Sequence, residues 1–305
     1  MRIGDICSNN RPGMATIGFF DGVHCGHCFL IRQVECEAAA RGLTPTVITF
    51  PTHPRQVLQS EYRPRLLTTP AEKLQRLEQT GVEQCLLLDF TTHLATLSAR
   101  DFMEVLKHRY RIGGLLIGYD HRFGHNRSEG FDDYVRYGRE LGIEVLPAEA
   151  FRLPDGTAVS SSLVRRLLSD GDVAAANRCL GYAYNVGGTV VSGHRVGHRL
   201  GYPTANLLPD HPDKLVPANG VYAVRVEIGG EQHGGMLNIG RRPTLDNGDD
   251  RSIEVHIFDF DRDIYQQPLR LSFVQRIRAE RRFDSLDELV AQLHRDAAEI
   301  RAMLG

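Results

Sequence analysis

The chain has 305 residues, 42% of them hydrophobic and 24% charged, which is enough for two ordinary domains with cores of their own. A formal charge of -2, from 36 Lys and Arg against 38 Asp and Glu, excludes the basic field that duplex nucleic acid calls for. Six scattered cysteines, no long apolar run and no leader-like N-terminus set the expectation of a soluble, cytoplasmic protein that binds neither membrane nor nucleic acid.

From the N-terminus, MATIGFF, PTVITF, CLLLDF, GLLIGYD and IEVLP are short β-prone runs separated by amphipathic stretches. That alternation predicts an α/β unit in which a parallel sheet is joined by crossover helices. Pro70 opens PAEKLQRLEQT and Gly81 closes it, while Ser98 with Asp101 gives a capping-box start to SARDFMEVLKHRY. Beyond about Gly181 the runs GGTVVSG, GVYAVRVEIGG, GGMLNIG, SIEVHIFDF and PLRLSFVQRI are divided by Gly, Asn, Asp and Pro, the pattern of a small antiparallel sheet or barrel. A last helix is predicted from Ser285 and Glu288, with Leu286, Leu289, Val290, Leu293, Ala297, Ile300 and Leu304 on one face. Composition therefore divides the chain into 1–181, α/β, and 182–305, antiparallel β with a C-terminal helix.

The stretch VHCGHCFL, residues 23–30, holds two cysteines at C-x-x-C spacing and two interleaved histidines. A redox dithiol needs a thiolate of lowered pKa, and the passage from a strand into a helix is a place where one can form. Zinc needs four ligands, and His24, Cys25, His27 and Cys28 are too crowded to wrap one ion. The third reading keeps the histidines: His24 and His27, separated by Cys25 and Gly26, sit at the mouth of a helix where its positive end favours phosphate. Imidazoles placed there can donate to charge developing on a phosphoryl group, and Gly26 leaves room for phosphate to approach the backbone.

GFFDGVHCGH resembles the F-D-G-V-H-x-G-H signature of the bacterial bifunctional riboflavin kinase/FAD synthetases, and the resemblance runs through the chain. TFPTHPRQVL, GYDHRFGHNRSEG, VSSSLVRRLL, GHRLGYPTANL, NIGRRPT, IEVHIFDFDRDIY and RIRAERRF are similar to the family's successive blocks, in the same order. The resemblance implies a Rossmann-like nucleotidylyltransferase domain that transfers AMP from ATP to FMN, followed by a β-barrel that phosphorylates riboflavin with ATP and Mg²⁺. It makes the cysteines fillers of variable positions in an H-x-G-H motif.

By the same resemblance His24, Gly26 and His27 meet the ATP phosphates, with Ser161, Ser162 and Arg165 adding donors and a cation. Asp120, Arg122 and Phe123 are expected at the flavin-nucleotide pocket. In the second half Gly193, Gly197 and Gly201 form a phosphate loop in place of a Walker motif. Thr204 and Asn206 are the expected Mg²⁺ ligands, hard oxygen donors as that ion requires. Glu254 is the expected general base, with Asn238, Arg242 and Arg278 beside the flavin, and Phe283 near the last helix. The chain departs from the family pattern at Pro51, His121, Ser162, His198 and the late Gly130. Most departures fall in the first half, so a kinase with altered adenylyltransferase is the alternative within this class.

Overall fold

A computed structural model describes residues 1–4, 11–59, 61–118, 122–125, 129–192, 201–241 and 251–305. The expected site residues Asp120, Gly193, Gly197 and Arg242, and the departures His121 and His198, lie outside the described residues. The chain divides into two compact units, Met1–Ser161 and Ser162–Gly305.

In the first unit the chain runs β1 (Arg2–Gly4), β2 (Gly13–Ile17), α1 (Cys25–Arg41), β3 (Thr44–Thr49), α2 (Pro54–Leu58), α3 (Pro70–Glu78) and β4 (Gln84–Leu87). It continues through α4 (Thr92–Thr96), α5 (Ala99–His108), β5 (Ile112–Gly118), α6 (Phe131–Leu141) and β6 (Glu144–Ala148). The strands form one parallel sheet in the order β1-β4-β3-β2-β5-β6. Burial on both faces explains the near-continuous apolar runs of the sequence. Ile31, Val34 and Ala38 of α1 and Leu77 of α3 cover one face, packing on Met14, Val47 and Cys85; Phe102, Met103 and Leu106 of α5 and Tyr134 of α6 cover the other, on Ala15, Ile48 and Leu115. Strand order reverses beside β2, with β3 on one side and β5 on the other, and ligands of open α/β sheets bind at that crevice, outside the carboxyl ends of the strands.

Caps fix the helix ends. Thr69 and Glu72 form a complete capping box ahead of Pro70, and Ser98 accepts from the Asp101 amide. The helix at Pro70 ends at Glu78 rather than at Gly81, which takes a positive φ of 88° in the turn that follows.

α7 (Ser161–Asp170) starts at the last residue of the first unit, and α8 (Val173–Leu180) follows. Then come β7 (Asn185–Val191), β8 (Ala205–Pro209), β9 (Gly220–Ile228), β10 (Glu231–Arg241), β11 (Arg251–Ile257), β12 (Pro268–Arg278) and α9 (Leu286–Leu304). The strands close into an antiparallel barrel in the order β10-β11-β8-β7-β12-β9. Closure leaves no edge strand exposed. Asn177 of α8 donates to the Phe273 carbonyl of β12 and accepts from the Tyr184 amide, and the Ala218 amide donates to the Leu168 carbonyl of α7. These two helices follow the α/β texture in composition, while Leu168 and Asn177 bond to the barrel side of the chain, so composition and compactness draw the division at different points. α9 starts at Ser285, which accepts from the Glu288 amide, and buries Ala297 and Ile300; Leu286, expected on the apolar face, is 67% exposed at the helix's first position.

Candidate functional site: a histidine pair on a strained turn and an acid–amide row on the barrel

Between β2 and α1 the chain makes a turn that few sequences tolerate. Phe20 and Val23 have φ of 54° and 35°, and Gly22 has 81°. Left-handed backbone at a non-glycine residue costs about 1–3 kcal/mol and persists only where the surroundings over-determine it. Here they do. Phe20 and Val23 bury their side chains against Ile31 of α1 and Leu77 of α3, each such burial contributing about 1.5–3 kcal/mol. The buried Asp21 carboxylate accepts from the amides of Leu67 and Thr68, each at 3.0 Å, and from the Thr68 hydroxyl at 3.1 Å. The Gly22 amide donates to that same hydroxyl, and the Ser161 hydroxyl donates to the Asp21 carbonyl at 2.9 Å.

The turn delivers His24 as the N-cap of α1. Its Nδ1 accepts from the His27 amide at 3.3 Å, which makes Nε2 the protonated, donating nitrogen of a neutral ring. The two imidazoles stack at 3.6 Å and 16°, and Phe20 packs edge-on against His27 at 5.0 Å. Gly26 also sits hard against the His24 ring. A Cβ there would lie 3.1 Å and 3.2 Å from Cε1 and Nδ1 of His24, so the absent side chain makes room for the imidazole itself.

The thiols beside the histidines are poor nucleophiles. Burial pushes both Cys25 and Cys28 up from the usual thiol range, and Cys28 donates to the Val23 carbonyl at 3.4 Å. A redox dithiol needs the opposite shift.

Of the other expected residues, Ser162 and Arg165 continue along α7 in the second unit, Ser162 exposed and Arg165 half-buried. Arg122 donates to the Glu129 carbonyl at 2.9 Å, and a Cβ on Gly130 would meet its Nη1 at 3.0 Å, so the late glycine leaves space for this arginine. Phe123 is buried in the core, stacked on Tyr134 at 4.2 Å.

On the barrel, three expected residues meet in one row. Glu254 of β11 pairs in register with Asn206 of β8 and with Asn238 of β10. Residues directly opposite on adjacent strands project to the same face with Cβ atoms about 4.5–5.5 Å apart. Thr204, just ahead of β8, joins them: its hydroxyl donates to Glu254 Oε2 at 3.4 Å. The preceding residue is held from β11, where His256 Nδ1 donates to the Pro203 carbonyl at 2.8 Å. Thr204 also lines a pocket of about 440 Å³ with Val255, Ile257, Phe260, Ile264 and Tyr265. Gly201 is exposed, with φ of 79°. Arg278 bonds through Nε and Nη2 to Asp296 of α9, at 2.9 and 2.8 Å, and its guanidinium lies 5.7 Å from the Phe283 ring.

Two residues of the first unit escaped sequence reading. Asp21 was visible in FDGVH but not as a clamp on a segment 46 residues away. Lys73, 2% exposed, donates from Nζ to the Phe50 carbonyl at 2.7 Å and the Phe19 carbonyl at 3.1 Å, and lies 4.0 Å from the Phe19 ring centroid. A lysine in the amphipathic PAEKLQRLEQT gives no signal that it points inward.

Two family models match: FAD synthetase over residues 6–163 and riboflavin kinase over residues 180–304. The chain is 35% identical to the bifunctional riboflavin kinase/FMN adenylyltransferase of Listeria monocytogenes, over 94% of this chain and 91% of that one. It is 36% identical to the protein of the same name from Escherichia coli (strain K12), over 95% and 92%, and 34% identical to that from Bacillus subtilis (strain 168), over 96% and 93%. Among solved structures it is similar to a chain described as a macrolide-efflux protein from Streptococcus pneumoniae, at TM-score 0.85 and 31% identity over 98% of both chains. Among the described residues no helix is long and apolar enough to cross a membrane. With both family models matched in order and relatives aligned over nearly their full length, the chain belongs to the bifunctional riboflavin kinase/FMN adenylyltransferase family.

Proposed function

We propose that this chain makes FAD from riboflavin in two ATP-dependent steps, phosphorylation to FMN and then adenylylation with release of pyrophosphate. The observation that supports the reading is the presence in one chain of two separate arrangements suited to phosphate chemistry, the stacked His24–His27 pair at a helix start and the Asn206–Glu254–Asn238 row with Thr204. Residues 182–305 carry the kinase and residues 1–181 the adenylyltransferase, and the enzyme works in the cytoplasm.

In the kinase step the Glu254 carboxylate takes the proton of the ribityl 5'-hydroxyl as its oxygen attacks the γ-phosphorus and ADP leaves. Asn206 and Asn238, on either side, orient that carboxylate and the hydroxyl beside it. Thr204 and Asn206 would hold Mg²⁺ through hard oxygens of the kind that ion prefers. When bound, it neutralises charge on the transferring phosphates.

In the adenylyl step a phosphate oxygen of FMN attacks the α-phosphorus of ATP in line, and pyrophosphate leaves. His24, donating from Nε2, and His27 stabilise the charge that develops there, at the N-terminus of α1. At the start of α7, Ser162 and Arg165 offer a donor and a cation suited to a triphosphate, while the Ser161 hydroxyl is committed to the Asp21 carbonyl.

The test is a time course of purified protein with riboflavin, ATP and Mg²⁺, separating riboflavin, FMN and FAD. FMN that rises first and FAD that follows is the expected result. FMN accumulating without FAD removes the second step, and no product at all removes the reading.

A further inference from the structure

We infer that Lys73 is a positioning residue for adenylyl transfer: its ammonium joins the carbonyls of Phe19 and Phe50, just beyond the ends of β2 and β3, and so holds the turn that presents His24 and His27. The inference rests on the adenylyltransferase reading given above.

Phe19 stands one residue before the left-handed Phe20, and Phe50 directly follows β3. Both carbonyls lie past the last ladder partners of their strands, since β2 and β3 pair only as far as Ile17 and Ile48. Lys73 reaches both carbonyls from α3, and the Thr49 hydroxyl also donates to Phe19 O at 3.1 Å. The Phe19 ring lies over the ammonium, closing it off from water. On the far side of the turn, Asp21 and Thr68 fix Gly22 and the segment just ahead of α3. The turn is thus held at its start by Lys73 and in its middle by Asp21, three residues ahead of His24.

A purely structural lysine in this position would be unusual. Burying an ammonium is expensive, and a methionine of similar length would fill the same space without that cost. What the methionine lacks is donors for the two carbonyls. The groups facing the ammonium are the Phe19 and Phe50 carbonyls, Asp21 from the turn and Cys85 from β4. Burial pulls Lys73 down to about 8, and the Asp21 carboxylate pulls it part of the way back up. Burial also pushes the Cys85 thiol up to about 11, so it stays neutral in this range.

The experiment uses the full-length chain, with riboflavin phosphorylation as the control. For Lys73→Met the expected result is a fall in kcat for adenylylation of added FMN of at least tenfold, with KM for FMN and ATP within threefold and kinase turnover within twofold. As the ammonium, held near 8 by burial, gives up its charge and its contacts to Phe19 and Phe50 weaken, wild-type kcat for adenylylation is expected to fall with rising pH, and the variant is expected to lack that limb. A raised KM with unchanged kcat, or wild-type turnover flat from neutral pH to two pH units above it, overturns the assignment. Should Lys73→Met fail to fold, the wild-type profile and Lys73→Arg, which cannot deprotonate and so must lose the limb, decide the matter. A wild type that makes no FAD at any pH sinks the adenylyltransferase reading instead.

Discussion

Asn238 and Glu254 face each other across β10 and β11, and Asn206 faces the same Glu254 from β8, so one carboxylate stands between two amides on neighbouring strands. Glu254→Gln keeps the shape and the Thr204 contact but removes the proton acceptor. General bases contribute roughly 10²–10⁴-fold, so FMN formation at saturating riboflavin should fall by at least about 10²-fold. Adenylylation of added FMN should be unchanged. Near-full kinase turnover in the variant would remove Glu254 from the mechanism.

Gly26→Ala tests the close fit beside His24. The new Cβ, 3.1 Å from the ring, displaces the imidazole by a few tenths of an ångström without touching its chemistry. Misplacement of about 1 Å can cost on the order of 10²-fold, so a loss of roughly tenfold in kcat for adenylylation is expected, smaller than that of His27→Ala. Crowding of an ATP phosphate against the backbone would instead raise KM for ATP.

The order of strands and helices was legible because burial on both sheet faces leaves continuous apolar runs and barrel strands leave Gly- and Asn-punctuated ones. What stayed hidden is non-local. Nothing in the spacing of Asn206, Asn238 and Glu254 says that they share a register, because register depends on how the barrel closes. The sequence raised the C-x-x-C reading of Cys25 and Cys28, and the burial of both thiols, with Cys28 against the Val23 carbonyl, gives the physical reason against it. The bonds that tie Leu168 of α7 and Asn177 of α8 to Ala218 and Phe273 were hidden for the same reason, since those partners lie far along the chain.

Replacing Cys25 and Cys28 together with Ala should leave both FMN and FAD synthesis within about twofold. Because burial raises both thiols, neither carries much thiolate at neutral pH. Titration with a thiol-reactive dye should accordingly show both reacting more slowly than the exposed Cys36. A loss of FAD synthesis matching that of His27→Ala would return the thiols to the mechanism.

Asp21→Asn replaces an acceptor-only group by an amide whose NH₂ must face the amide of Leu67 or Thr68. Leaving buried donors unpaired costs about 1–3 kcal/mol, so denaturant unfolding of the first unit should shift by that amount. The turn it anchors carries His24, and adenylylation should fall while kinase turnover persists. Equal loss of both activities would show general unfolding rather than a local clamp.

Lys73 should make stability and adenylylation move in opposite directions with pH. Its native pKa, near 8, lies below the ordinary 10.5, so beneath about 8 both native and unfolded states hold the proton and the cost of the buried ammonium is fully present. Between those two values the native state has released the proton while the unfolded chain keeps it, and stability contributed by this group rises with pH. Across the same window the clamp on Phe19 and Phe50 loses its charge and turnover falls. Denaturant melts of wild type and Lys73→Met on either side of pH 8 isolate the group: the wild type should gain relative to the variant as pH rises. A wild type that loses both stability and FAD synthesis over that range, relative to the variant, would mean that the alkaline limb reports unfolding of the sheet and not release of the turn.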